Sequence, residues 1–390
     1  MTITHITAIP VIVPMHPDTV NSPEYDQPPA AGKRDAAQGQ LAYDATASQG
    51  TGPHAMGGLL SDFDDLVKFI LRVETDDGVV GVGETFRAAS WASIQRNRAA
   101  LIGCDPRRLD LRALPFPYDR AYIGFEVALY DLLGRAFGVP VHHLLGGRCR
   151  DRVRVDYWTG QRTPEDIARI ARDAVAKGFT GLKFKCALED PNVERVQAIH
   201  DAVGHRLALN LDPNERFYRP AETIRLARRL DGYNIAMFES PVPQWNIDWY
   251  VRLRRMLSIP VAFHIHLPYG GTERHLITAI KRDAVDYVNI SGGVSAFIRM
   301  ATVCDMAGIP VWHGSEVDLG ILDMAAVHAA AAMPNCTLGS DLIGNFLRED
   351  DLIVDPIRFE GEWAQVPTGP GLGVELDDTA VRRYAVGEWR

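Results

Sequence analysis

Thr180-Gly181-Leu182-Lys183-Phe184-Lys185-Cys186 is a short apolar run carrying two lysines one residue apart. In a strand, residues i and i+2 share a face, so both ammonium groups project the same way from a segment suited to burial. Like charges side by side lower the pKa of one or both, and burial lowers it further. A lysine tuned in this way is a general base near neutral pH. Two surface lysines on an edge strand would use the same residues, so the surrounding sequence has to decide.

From Val153 onward a short apolar strand, a loop and an amphipathic helix repeat. Strand candidates are Val153–Tyr157, Gly181–Cys186, Leu207–Asp212, Ile235–Glu239, Pro260–His264, Ala284–Ile290, Ile309–His313 and Cys336–Gly339. Helical patterns lie between them, such as Pro164–Lys177, Ala221–Leu230 and Ser295–Ala307. Strands alternating with helices imply a parallel sheet. At 390 residues a closed (β/α) barrel leads over an open doubly wound sheet. No GxGxxG opens a helix after an early strand, so the dinucleotide-binding form of the open sheet has no support.

Upstream the rhythm differs. Residues 3–14 alternate and are rich in Ile and Val, which predicts a strand. From about Met15 to Leu59 the chain is full of Pro, Gly, Ala, Ser and Asp, the composition of a lid loop. Leu66–Val73, the turn Asp76-Asp77-Gly78 and Val79–Glu84 predict a hairpin. Helical patterns follow at Trp91–Ile102 and Tyr122–Phe137, the second stopped by Gly138-Val139-Pro140. We therefore expect an α+β capping domain over 1–150 with a lid at about 15–59, and a barrel over 151–350. A C-terminal segment, 351–390, is expected to return to the cap.

Composition narrows the function. The net charge is -9, and no basic run or nucleic-acid motif is present, so no nucleic-acid partner is expected. No apolar stretch reaches membrane-spanning length. Five scattered cysteines without CxxC spacing, and an N-terminus without a basic signal region, suggest a reduced, cytoplasmic protein.

In a barrel of this kind the chemistry sits at the C-terminal strand ends. Lys183 and Lys185 come from the second strand. Asp212 ends the third, with Asn214 two residues on; Glu239 ends the fourth and His313 the seventh. Carboxylates on a rigid scaffold, with room for water and substrate, suit Mg2+. Taken singly, Asp212 also reads as a helix cap and Glu239 as a loop carboxylate.

The series Lys183-x-Lys185, Asp212-x-Asn214 and Glu239-Ser240-Pro241 resembles the enolase superfamily in its mandelate racemase / muconate-lactonising branch. Gly78–Thr85, Ala128–Arg135, Gly138–Pro140, Leu144–Gly147 and Gly369–Val374 resemble signatures of the same branch. The resemblance implies an α+β cap over a (β/α)7β barrel, a small carboxylate substrate, and Mg2+-assisted abstraction of the proton α to the carboxylate through an enediolate. It implies Lys185 as base, Lys183 as holder of the carboxylate, His313 as acid or base on the other face, and Asp212 and Glu239 as metal ligands. Asn214, Asn289, Glu316 and Tyr157 are assigned to substrate contacts, and by analogy a homo-oligomer is expected.

Two features depart from that pattern. Counting from Ile259-Pro260, the third metal carboxylate falls at Ile265, flanked by His264 and His266. Imidazole favours Zn2+ or Mn2+ over Mg2+. Three arrangements stay open: two carboxylates plus a histidine, Mg2+ on two carboxylates and water, or no metal. On the sixth strand Asn289 stands where relatives place Asp or Lys, and it is expected to orient His313. Glu316, after strand seven, resembles the cycloisomerase members. The reaction expected is dehydration of a sugar acid, with racemisation, epimerisation or cycloisomerisation as alternatives and a metal-free acid-binding descendant as a third.

Overall fold

The computed structural model of the chain describes residues 1–16, 20–25, 67–265, 273–342 and 344–387. Most of the lid expected at 15–59, and His266, lie outside the described residues.

Strands β1 (Ile3–Val11), β2 (Lys68–Thr75) and β3 (Val80–Glu84) form an antiparallel sheet in that order. Helices α1 (Trp91–Leu101), α2 (Tyr122–Phe137) and α3 (Val141–Leu144) follow. Helix α2 lies very close to β3: a Cβ at Gly83 would sit 2.1 Å from the Gly124 carbonyl. Only glycine permits that approach. The signature stretches meet at the buried Asp131, which accepts from Val82 N at 2.9 Å, Leu372 N at 2.7 Å and Arg135 Nε at 2.8 Å.

After β4 (Arg152–Arg154) comes the barrel. Its strands are β5 (Tyr157–Thr159), β6 (Gly181–Lys185), β7 (Ala208–Asp212), β8 (Ile235–Glu239), β9 (Val261–Ile265), β10 (Tyr287–Ile290) and β11 (Val311–His313), a seven-stranded parallel sheet in sequential order. Six helices of nine to thirteen residues run between and after them: α4 (Pro164–Ala176), α5 (Asn192–Val203), α6 (Pro220–Arg229), α7 (Ile247–Met256), α8 (Glu273–Lys281) and α9 (Val294–Met306). Helix α10 (Gly320–Ala332) follows β11. The predicted eighth strand is reduced to parallel bridges, Val311 with Cys336 and Val155 with Ser340, which close the ring. The first barrel strand begins at Tyr157, four residues later than the sequence pattern suggested, because Arg152–Arg154 pairs elsewhere.

Short helix α11 (Gly344–Leu347), β12 (Phe359–Glu360), β13 (Trp363–Gln365) and α12 (Asp378–Tyr384) complete the chain. Strand β13 pairs with β4, and Ile12 N donates to Tyr384 O at 3.0 Å, so the C-terminal segment runs back against β1. No helix among the described residues is long and apolar enough to cross a membrane.

A buried histidine pair joins α3 to α10. His328 donates through Nε2 to Leu372 O at 3.1 Å, so its Nδ1 accepts from His142 N at 3.3 Å and from His142 Nδ1 at 3.1 Å. That network requires neutral His328, and burial pushes its pKa down to about 4. The folded value lies below the unfolded one, so this contribution is whole above pH 6.5 and is lost as pH falls toward 4. Over that window it amounts to about 3 kcal/mol. Thermal melts of His328→Gln should therefore fall less steeply between pH 6.5 and 4 than those of the wild type; parallel slopes would refute this. The comparison is needed because buried Glu126, raised to about 7 by desolvation, works in the opposite direction.

Candidate active site

Strand register decides which side chains enter the barrel. Lys183 pairs with Trp158 and Asn210, Lys185 with Asp212, Glu239 with Ala262, His264 with Asn289, and Asn289 with Trp312. In a parallel sheet paired neighbours share a face. Lys183, Lys185, Asp212, Glu239, His264, Asn289 and Trp312 therefore face one interior. The loops behind two of them are locked together, Glu215 N donating to Ser240 O at 2.7 Å. Asn214, Glu215 and Ser240 there take positive φ of 46°, 68° and 47°. Such backbone strain persists only where its surroundings hold it.

At the centre is Lys183. Its Nζ lies 2.8 Å from Glu239 Oε2, 2.7 Å from Asp341 Oδ2 and 3.2 Å from Asp212 Oδ2. Lys185 Nζ lies 2.5 Å from Asp212 Oδ2. Asn210 and Asn289 donate to Glu239 at 3.1 and 2.7 Å. Asn214 holds Asp212 through its main chain, N to Oδ1 at 3.2 Å.

Charge follows from these contacts. Burial opposes ionisation of Lys183, but Asp341, Glu239 and Asp212 raise its pKa well above the ordinary value. The lowering expected at one or both lysines does not fall on Lys183, whose ammonium the three carboxylates keep charged. Burial also opposes ionisation of Asp212, yet Lys185 and Lys183 hold it well below the usual carboxylate range. Glu239 is pushed up to about 7 by burial and by Asp212, against Lys183.

Several sequence expectations are corrected. His313 pairs with Ile290, on the outer face of the sheet. Its ring packs 4.7 Å from Phe297 of α9, and its Nδ1 lies 2.6 Å from Gly314 O. It is not on the face of the lysine pair, and Asn289 bonds Glu239 rather than orienting it. Tyr157 pairs with Leu182, also facing outward, and its hydroxyl donates to Asp173 at 2.7 Å. Glu316 is buried between Arg87 Nε at 2.8 Å and Arg120 Nη1 at 3.1 Å, which tie the loop after β11 to the segments around α1 and α2. Burial would raise its pKa, but Arg120 and Arg87 hold it at about 2. Ile265, reached by counting, is packed in the apolar core, and the inward side chain is His264. The sequence reading did not single out Asp341, although it lies two residues after the strand candidate Cys336–Gly339 and obeys the same strand-end rule.

A parallel barrel with lysines and carboxylates gathered at its strand ends, under a sheet-and-helix cap, defines a barrel enzyme acting at its mouth. Residues 166–380 match the enolase C-terminal domain-like family. Residues 64–146 match the N-terminal domain of mandelate racemase / muconate lactonizing enzyme. The chain belongs to the enolase superfamily, in that mandelate racemase / muconate lactonizing branch.

It is 26% identical over 344 residues to the N-succinyl-L-Arg/Lys racemase of Bacillus cereus, covering 83% of this chain and 92% of that one. It is 29% identical to the chloromuconate cycloisomerase of Cupriavidus pinatubonensis, covering 81% and 90%. It is 28% identical to the D-galactonate dehydratase of Ralstonia pickettii, covering 82% and 92%. The crystal structure of the Bacillus cereus racemase superposes with a TM-score of 0.80 at 24% identity over 99% of both chains, a likeness of fold. The relatives are lyases and isomerases acting on small carboxylates, and this chain is an enzyme of their family.

Members of the family generally use Mg2+. Among the described residues no three His, Cys, Asp or Glu side chains are spaced as a closed metal centre, because the carboxylates turn on the Lys183 ammonium. Asp212, Glu239 and Asp341 offer the carboxylate oxygens that a hard dication takes, but the Lys183 ammonium stands between all three. Asp212 and Glu239 are the residues that the family resemblance would assign to it.

Proposed function

We propose that this enzyme removes the proton α to the carboxylate of a sugar acid with Lys185 as its one base, and expels the β-hydroxyl as water to give a 2-keto-3-deoxy acid. The observation that carries this reading is what stands across the mouth from Lys185. Strand β10, four strands on from β6, presents the amide Asn289, and its neighbour β11 presents the indole Trp312. A racemase needs a base on each face of its substrate. Among the described residues both lysines of the mouth stand on β6, and the carboxylates beside Asn289, Glu239 at 2.7 Å and Asp341 at 3.4 Å, are both engaged by the Lys183 ammonium.

Each residue then has a role. The side chain of Lys185 is 13% exposed and that of Lys183 is 2% exposed, so Lys185 is the lysine a substrate reaches. Lys183 is a permanent cation suited to the substrate carboxylate. Asp341 keeps Lys183 charged and in place. Lys185 takes the α-proton, and the electron pair of the broken C–H bond moves into the carboxylate. The Cβ–O bond then breaks, and the leaving hydroxyl takes the proton back from the Lys185 ammonium on the same face. The resulting enol tautomerises to the keto acid. A divalent cation, when bound by Asp212 and Glu239, supplies positive charge against which the second negative charge on the carboxylate is stabilised.

The test is a panel of aldonic and aldaric acids incubated with the protein and divalent metal in D2O. Keto acid should form from one or a few of them. α-Proton exchange without keto acid would overturn dehydration. A lactone opened or closed instead would move the assignment to cycloisomerisation, which one lysine also serves.

A further inference from the structure

Helix α7 buries Tyr250, Val251 and Leu253 against the barrel and turns a second stripe outward. Asp248, Arg252 and Arg255 recur at i, i+4 and i+7, and Trp249, Arg252 and Met256 at i, i+3 and i+7, so all five share one face. Trp245, just before the helix, extends the stripe. It is 62% exposed, Met256 is 54% exposed, and the rings of Trp245 and Trp249 stand 5.9 Å apart. Single exposed apolar side chains are ordinary. Two tryptophans, a methionine and two arginines on one stripe are the residue types enriched at protein interfaces. Beside the stripe lies a depression lined by Asp248, Val251, Arg252, Arg255, Met256 and Arg282. Arg282 bonds Asp248, and Arg252 and Arg255 both extend into solvent.

We propose that this stripe is a contact between two copies of the chain, related by a two-fold axis through the middle of α7. The charge pattern identifies the occupant. Asp248 is one residue in from the start of the helix and Arg255 one residue in from its end, on the same flank of the stripe. Antiparallel pairing about that axis therefore sets Asp248 of each copy opposite Arg255 of the other. Arg252, next to the axis, comes over the Trp249 indole of the other copy, a cation–π contact. Trp245 approaches the other Met256. A closed two-fold pair requires a surface that complements itself in this way. Parallel pairing would set Arg255 against Arg255, and a purely acidic partner would set like charge against Asp248.

Sedimentation velocity of the full chain tests this. The wild type should sediment as a dimer, or as a multiple of two, at micromolar concentration. Asp248→Lys and Arg255→Glu should each weaken the contact about 10–100-fold, because each places like charges opposite one another at two symmetry-related points. Mixed in equal amounts, the two variants should pair with each other, since one offers two cations and the other two anions at these points. Asp248→Lys and Arg255→Glu combined in one chain should pair with itself. Both positions are exposed, and circular-dichroism melts check that the variants fold. A monomeric wild type would overturn the proposal and leave the stripe to a different partner. Single variants that associate as the wild type does would place the contact on another face. Folded single variants that stay apart when mixed would overturn the two-fold register.

Discussion

Lys185→Met should abolish α-proton exchange while leaving the barrel folded. A positioned general base contributes about 10²–10⁴-fold, and the carboxylates across the mouth, Glu239 and Asp341, are tied to Lys183 and not placed to substitute for it. The fold should survive because Asp212 keeps the Lys183 ammonium at 3.2 Å and the Asn214 amide at 3.2 Å. Lys183→Met is the contrasting variant. It strips the ammonium from Asp341, Glu239 and Asp212 at once, so it should lose stability as well as activity. Exchange of substrate deuterium by NMR, read beside circular-dichroism melts, separates the two. Full exchange in a folded Lys185→Met protein would take the lysine out of the mechanism.

The residues that misled the sequence reading share one physical cause. Lys183, Lys185, Asp212 and Glu239 were legible because a polar group in an apolar strand stands out on its own. His313, Ile265 and Tyr157 were misplaced because strands of a parallel barrel are buried on both faces. Such runs are near-continuously apolar and carry no alternation from which to read parity, and a slip of one residue moves every side chain to the other face. Val311-Trp312-His313 illustrates this: the indole occupies the interior and the imidazole packs outside against Phe297. Counting from Ile259-Pro260 failed by the same single step, exchanging Ile265 for His264. The cap was more legible. Gly81, Gly83, Asp131 and the Gly369–Val374 turn form one packed junction, and each is tied to it by close contact or a hydrogen bond.

Lys68→Met should be the most destabilising single substitution away from the mouth. Lys68 is a buried lysine in an otherwise apolar strand, and its ammonium bonds Glu84 and, at 2.7 Å, Asp318. Glu84 in turn accepts from Leu319 N at 2.8 Å and Leu322 N at 3.0 Å, capping α10 from a strand of the antiparallel sheet. Asp318 accepts from Glu316 N at 3.0 Å, in the loop that Arg87 and Arg120 grip through Glu316. One lysine therefore compensates the carboxylates that fasten the loop after β11 and the start of α10 to the cap. Removing one member of a buried ion cluster costs about 3–5 kcal/mol, because the remaining charges stay buried without compensation. The loss should depend on pH. Burial already raises Glu84 against the pull of Lys68, and without Lys68 its pKa rises further. A carboxyl whose folded pKa is raised contributes most when protonated, so the deficit should shrink toward pH 4.5 and grow as pH rises. Urea denaturation of wild type and variant at pH 5 and pH 8 measures both effects. A deficit under 1 kcal/mol, or one equal at the two pH values, would mean that the cap is held chiefly by the apolar packing of α2 and not by this cluster.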